Sequence, residues 1–70
     1  MMPLIFAAVG EKNMIRKVGG KPDIKRHLED LGFVVGGDVT MISSMGGNLI
    51  VSVKDARIAI SREMAGKIMV

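Results

Sequence analysis

The stretch from His27 to Val39 constrains the fold more than any other part of the chain. It has the pattern of a helix end, a glycine stop, a glycine turn and the start of a strand. Ile24, Leu28 and Leu31 recur at i, i+4 and i+7, which is the spacing of one apolar helix face. The next residue is a glycine, which can adopt the left-handed conformation that closes a helix. The pattern predicts a helix that ends at Leu31 and leads into a strand.

The start of this helix is also marked in the sequence. Pro22 suits the first helical position because its missing N–H would have no partner there, and Asp23 complements the helix dipole. The predicted helix therefore covers residues 22–31. A helix this short is marginal by itself, so we expect packing against a sheet to stabilise it.

The rest of the chain reads as short strands separated by turns. So small a sheet must curl to bury one face, and closure also removes exposed edges. The sequence thus predicts a mainly β fold: a small, partly open barrel of five to six short strands, with one inserted helix and a short helical turn near 62–65 capped by Ser61. Strands are expected at 14–18, 39–43, 49–53, 57–62 and 67–70, with turns at 44–48 and 54–56.

Composition limits the class of protein. Seventy residues, 49% hydrophobic and 24% charged, predict one globular domain over residues 1–70. No cysteine is present, which excludes disulfides and cysteine-ligated metal sites and favours a cytoplasmic location. With only two aromatic residues, we expect the seven methionines to fill the core; the alternative is that one or two are exposed as an adaptable contact surface. Residues 1–9 are too short to span a bilayer, so they are expected to dock on the core without a membrane anchor or direct membrane insertion.

Several motifs match a known family along nearly the whole chain. Residues 28–39, Leu-Glu-Asp-Leu-Gly-Phe-Val-Val-Gly-Gly-Asp-Val, resemble the Leu-x-x-(Leu/Met)-Gly-Leu-x-Pro-Gly-x-x-Val signature of FeoA proteins. The segment from Ile58 to Val70 resembles that family's Leu-Ala-Leu-Arg…Ala…Ile-x-Val ending, and Gly10 and Ile15 match its opening Gly-x-x-x-x-Ile. The chain is therefore identified as a member of the FeoA family.

The match has two departures. Val35 stands where the family usually has proline, and residues 45–48, Met-Gly-Gly-Asn, replace a usual Pro-Leu-Gly-x-Pro. These departures suggest a divergent or paralogous member. The resemblance implies an SH3-like β-barrel similar to the C-terminal domain of DtxR-type iron-dependent repressors. It also implies a cytoplasmic accessory role for FeoB, the GTP-dependent ferrous iron transporter of bacteria, with that transporter's cytoplasmic region as the partner.

We expect the helix and its flanking glycine turns to form the partner-binding surface. Lys25 and Arg26 would be charges at its rim. Leu28 occupies the family's helix-leucine position, where it would serve either as a partner contact or as the core anchor of the helix. Replacing Leu28 with Gln separates these two roles, because only a core residue stabilises the fold strongly.

No cofactor, metal site or catalytic activity is expected from the remaining motifs. His27, the only histidine, could share a helix face with Asp30 or Asp23, but a metal site needs three or four converging ligands. The glycine pairs lack the spacing of phosphate-binding loops. The serines have only that one histidine as a potential base, so an enzyme is not expected.

A cluster of five cations within eleven residues leaves an alternative function open. Clustered Lys and Arg suit phosphate contacts, so a nucleic-acid-binding barrel is one hypothesis. No aromatic residue in the segment could stack a base and no second helix follows, so a solvated face or an acidic protein partner is favoured and no nucleic acid is expected. A third hypothesis is a detached domain that modulates a metal-dependent transcription regulator. The five cations are Arg16, Lys17, Lys21, Lys25 and Arg26, opposed only by Asp23.

Overall fold

A computed structural model describes residues 1–70 and shows a mainly β architecture with six short strands. The chain begins with a single 3-10 turn, and one ten-residue helix precedes the longest strands. In order, the elements are the 3-10 helix (Leu4–Phe6), β1 (Lys12–Met14), β2 (Lys17–Val18), α1 (Pro22–Leu31), β3 (Asp38–Met45), β4 (Asn48–Val53), β5 (Ala56–Ser61), α2 (Arg62–Ala65) and β6 (Ile68–Met69).

Four of the strands form one antiparallel sheet in the order β1-β3-β4-β5. Gly46 and Gly47 connect β3 to β4. Lys54 and Asp55 connect β4 to β5, with φ angles of 49° and 63° that match a type I′ hairpin turn. These two-residue connections are tighter than the predicted turns, so Ser44, Met45, Asn48 and Ala56 belong to strands.

The other two strands form a small antiparallel sheet that brings the two ends of the chain together. β2 pairs with β6, and Pro3 bridges to Met69 on the other side of β6. Met2 and Val70 exchange two backbone hydrogen bonds, of 2.9 and 2.8 Å. Because Val18 and Ile68 lie in the same hydrophobic cluster as the inner residues of the large sheet, both sheets cover one core.

Helix α1 has the predicted bounds and ends as its sequence indicates. Gly32 has a φ of 113°, and its N–H donates to the Glu29 carbonyl. The N–H of Phe33 donates to the Leu28 carbonyl at 3.0 Å, which completes a Schellman motif. Phe33 is fully buried, so the residue after the glycine stop packs into the core.

The strand expected at 14–18 is divided in two, and this part of the prediction is wrong. The Ile15 N–H donates to the Gly37 carbonyl beside the large sheet, whereas the Arg16 N–H donates to the Met69 carbonyl of the small sheet. The chain therefore crosses from one sheet to the other between Ile15 and Arg16. The helical turn is confirmed, because α2 occupies 62–65 and the Met64 N–H donates to Ser61 Oγ at 3.1 Å.

The core is aliphatic, and the methionines contribute less to it than expected. Of the seven, only Met41 is fully buried, while Met1, Met14 and Met45 are exposed. The first nine residues dock on the core through Leu4, which is fully buried, but Phe6 and Val9 are exposed. The buried cluster consists of Leu4, Ile15, Val18, Leu28, Phe33, Val39, Met41, Leu49, Val51, Val53, Ile60, Ala65, Ile68 and Val70.

Candidate interaction surfaces

Helix α1 divides into a buried and a charged side. Leu28 is fully buried, and Ile24 and Leu31 pack partly against the same core. Lys25 and Arg26 are exposed to solvent. The two side chains predicted as rim charges are therefore available to a partner.

Leu28 has a different role from the other two candidate residues. With no exposed surface, it anchors the helix in the core, and it presents nothing to a partner in this conformation. Of the two roles that the sequence leaves open for Leu28, the structure supports the core anchor. A partner contact by Leu28 would require the leucine to leave a closely packed interior.

The five cations predicted from the sequence are joined by a sixth in the folded chain. The Gly19 N–H donates to the Lys67 carbonyl at 2.7 Å, so the last strand brings Lys67 next to the basic segment. The position of Lys67 could not be predicted from the sequence. The apolar residues 68–70 predict a strand there but do not indicate which strand it pairs with. We define the basic side as Arg16, Lys17, Lys21, Lys25, Arg26 and Lys67.

No carboxylate forms a salt bridge with the basic side. The single salt bridge joins Lys12 Nζ to Asp38 Oδ2 at 3.5 Å, across β1 and β3 of the large sheet, and both side chains are largely exposed. A pair so exposed contributes little stability. None of the six cations on the basic side is therefore held in a salt bridge, although Asp23, Glu29 and Asp30 are also exposed on α1.

His27 and the acidic residues do not come together as a metal site. His27 is exposed on α1, and no group of three His, Cys, Asp or Glu side chains converges anywhere in the structure. No buried side-chain nitrogen or oxygen lacks a hydrogen-bond partner, so no polar atom points into the interior toward an absent ligand.

One open polar recess lies on the outer side of the large sheet. Its volume is about 320 Å³, and no hydrophobic residue lines it. Two lysines in the lining are balanced by two aspartates, and one lysine–aspartate pair is the Lys12–Asp38 salt bridge. This balance gives the recess no preference for a cation or an anion. The lining consists of Lys12, Gly32, Gly37, Asp38, Thr40, Ser52, Lys54 and Asp55.

The helices of this chain are too short for a role as membrane spans. None combines the length and the apolar run that crossing a bilayer requires.

The fold and its surfaces define a class of protein: a small SH3-like barrel with charged exposed surfaces, the architecture of a binding module. The chain belongs to the FeoA domain family, whose model matches residues 2–70. Members of this family are non-enzymatic accessory proteins of ferrous iron transport, in agreement with the identification made from the sequence motifs.

Individual relatives support the assignment. The "Putative Fe(2+) transport protein A" of Methanocaldococcus jannaschii is 36% identical over 70 residues, covering 100% of this chain and 85% of the relative. A crystal structure of a FeoA iron uptake regulatory protein superposes with a TM-score of 0.89 at 26% identity, covering 97% of this chain and 92% of the other. The zinc complex of Stenotrophomonas maltophilia FeoA, described as a prokaryotic SH3 domain protein, superposes with a TM-score of 0.86 at 27% identity. The match covers 99% of this chain and 88% of the other.

The predicted similarity to metal-dependent repressors is also found, as a similarity of fold. A manganese-dependent transcriptional repressor superposes with a TM-score of 0.85 at 14% identity. The match covers 94% of this chain but 38% of the repressor. The same barrel therefore occurs as one part of a longer regulator.

Proposed function

We propose that this protein is a cytoplasmic accessory module that docks on the cytoplasmic region of a FeoB-type, GTP-dependent ferrous iron transporter. It acts by contact rather than by catalysis. Membership of the FeoA family supports a role in ferrous iron transport. The docking surface is the exposed side of α1, with Lys25 and Arg26 at its rim.

The observation that carries this proposal is the division of α1 into a buried anchor and an exposed side on which Lys25 and Arg26 form no salt bridge. Leu28 fixes the helix to the barrel, so that Lys25 and Arg26 are presented from a rigid element. Neither cation has a salt-bridge partner within the chain. Charges of this kind steer association with an acidic surface and set its orientation more than they add affinity.

The test is an NMR titration of the labelled chain with the isolated GTPase region of the cognate transporter. We expect chemical-shift changes that cluster on residues 22–38, and about tenfold weaker binding by the double variant Lys25→Glu, Arg26→Glu. Arg57→Glu is the matched control, because Arg57 is an exposed cation on β5 of the large sheet. Equal losses in both variants, or no shifts at high micromolar partner, would refute docking through α1.

The variant Leu28→Gln tests whether Leu28 stabilises the fold or contacts the partner. A buried amide in place of this leucine leaves a cavity and unsatisfied polar atoms, so we expect a loss of about 3–5 kcal/mol in the free energy of unfolding. Thermal unfolding followed by circular dichroism measures this loss. An unchanged melting temperature combined with lost binding would instead assign Leu28 to the contact.

A further inference from the structure

The small sheet has an outer face that the docking of α1 leaves unused. Val18 and Ile68 pair with each other and are buried. Because side chains alternate along a strand, the neighbouring residues of β2 and β6 lie on the outer side. We define the closing face as the outer-side residues Lys17, Lys67, Met69 and the bridged Pro3. We include the exposed residues Arg16 and Phe6 because their backbone N–H groups bond to the Met69 and Pro3 carbonyls of this face.

Apolar side chains occupy the centre and one edge of the closing face. Met69 and Pro3, paired across neighbouring backbone segments, are each half-buried. Phe6 is 68% exposed, and its N–H donates to the Pro3 carbonyl at 3.0 Å. Transfer of an exposed phenyl ring from water to an apolar environment is favourable, so contact with an apolar region of a partner or membrane would stabilise binding at this edge.

Cations occupy the opposite edge of the same face. The Arg16 N–H donates to the Met69 carbonyl at 2.8 Å, and Lys17 is the residue paired with Met69. Lys67 precedes β6 directly. Glu63 on α2, four residues before Lys67, is the acidic residue nearest to it in sequence, and it forms no salt bridge. None of the three cations of the closing face is thus held in a salt bridge.

We infer that the closing face adsorbs to the surface of an anionic phospholipid membrane. Lipid headgroups supply phosphate for Arg16, Lys17 and Lys67, and the boundary with the acyl chains accepts the apolar row of Phe6, Pro3 and Met69. This contact at the membrane surface revises the expectation that residues 1–9 only dock on the core. An acidic protein surface would match the cations but would leave the apolar row unused. A single-stranded nucleic acid would require further aromatic side chains for stacking, and Phe6 is the only exposed aromatic residue.

This inference goes beyond docking on a transporter, because it uses the small sheet and the 3-10 turn rather than α1. Phe6 and Lys17 lie on the closing face, whereas Lys25 and Arg26 lie on α1. Adsorption adds a second, weak attachment that holds the module at the membrane surface and raises its concentration near a membrane-bound partner.

The test is vesicle flotation of the full chain with the transporter left out. We compare phosphatidylglycerol–phosphatidylethanolamine vesicles with vesicles of phosphatidylcholine alone. The chain is expected to float with the anionic vesicles at low salt and to be released at high salt. Replacing Lys17 with Glu is expected to lower the affinity about fivefold or more, and Phe6→Ser about tenfold or more.

Two variants control for charge and for apolar exposure elsewhere. Arg57→Glu changes the charge equally on the large sheet, and Met45→Ser removes an apolar side chain that is 74% exposed at the β3–β4 hairpin. Both are expected to float like the unchanged chain. No flotation with anionic vesicles, equal losses in the control variants, or tighter binding to duplex DNA than to vesicles would each overturn the inference. Loss of flotation by Phe6→Ser with intact transporter binding would leave the docking proposal standing.

Discussion

The large and small sheets cover the same core but are built differently. Strands β3, β4 and β5 have eight, six and six residues and are joined by two-residue turns, so their pairing is local in sequence. β2 and β6 have two residues each and come from opposite ends of the chain. Local hairpins close at a small cost in chain entropy, whereas pairing distant segments costs more.

This difference indicates what stabilises each sheet. The large sheet has long ladders of hydrogen bonds in addition to its buried face. The small sheet has few such bonds, so its stability depends on the side chains it places in the core. Val18 and Ile68 are those side chains, at 4% and 0% exposure. The small sheet is therefore stabilised mainly by core packing. Because Val18 and Ile68 must face the core, the alternation of side chains along each strand determines which residues lie on the outer face.

For this comparison of the two sheets, the largest loss in the free energy of unfolding is expected from Ile68→Ala in the small sheet and Leu49→Ala in the large sheet. Both side chains are essentially fully buried. Each truncation removes apolar contacts and leaves a cavity, so we expect each to lower the free energy of unfolding by about 2–5 kcal/mol. Urea unfolding followed by circular dichroism measures both, and the denaturant dependence should stay unchanged if both sheets unfold together.

Ile50→Ala, at a partly exposed position on β4, is the control and should cost clearly less. Two results would contradict this prediction: a loss in the free energy of unfolding below about 1 kcal/mol for Ile68→Ala, or two separate unfolding transitions. Either result would mean that the small sheet opens independently of the large one.

The same contrast explains how much of the fold could be predicted from the sequence. Helix α1 and the hairpins were predictable because a glycine stop, turn residues and alternating apolar residues act over neighbouring positions. The division of 14–18 was not predictable. Ile15 and Arg16 bond to partners far along the chain, and a two-residue strand carries no periodicity of its own.

An intermediate effect is expected at Gly20, where the chain passes from the small sheet to α1. Its φ is 98°, and a Cβ there would lie 3.0 Å from Lys67 Cδ and 3.3 Å from Ile24 Cγ2. Gly20→Ala should therefore cost about 1–2 kcal/mol. Gly47→Ala, in the β3–β4 hairpin, is the matched control, because a Cβ there meets nothing within 4 Å. It should change stability by less than about 0.5 kcal/mol. Equal losses in chemical denaturation would show that neither the positive φ of Gly20 nor the close approach of Lys67 and Ile24 to it affects stability.

Only those parts of the candidate site that depend on neighbouring residues in the sequence could be predicted from it. The helical phase set by Leu28 indicates that Lys25 and Arg26 face solvent, and the structure places them there. The burial of Leu28 needed the structure, because an apolar residue on a helix suits a core and a contact surface equally. Lys67 was not predictable as a neighbour of the basic segment, since β6 pairs with β2 only in the folded chain.

The smallest predicted effect concerns Ser61, where the large sheet ends and the chain turns toward β6. Ser61 Oγ accepts a hydrogen bond from the Met64 N–H at 3.1 Å and so caps α2. Ser61→Ala should lower the free energy of unfolding by about 1 kcal/mol, whereas Ser61→Asp keeps a capping oxygen and should cost about half of that or less. Urea unfolding of the three chains measures the difference, and equal losses in both variants would exclude capping as the cause. Because both sheets cover one core, the same loss should appear as equally faster amide exchange in β4 and β6 of the Ser61→Ala chain. Faster exchange confined to β6 would show instead that the small sheet opens independently.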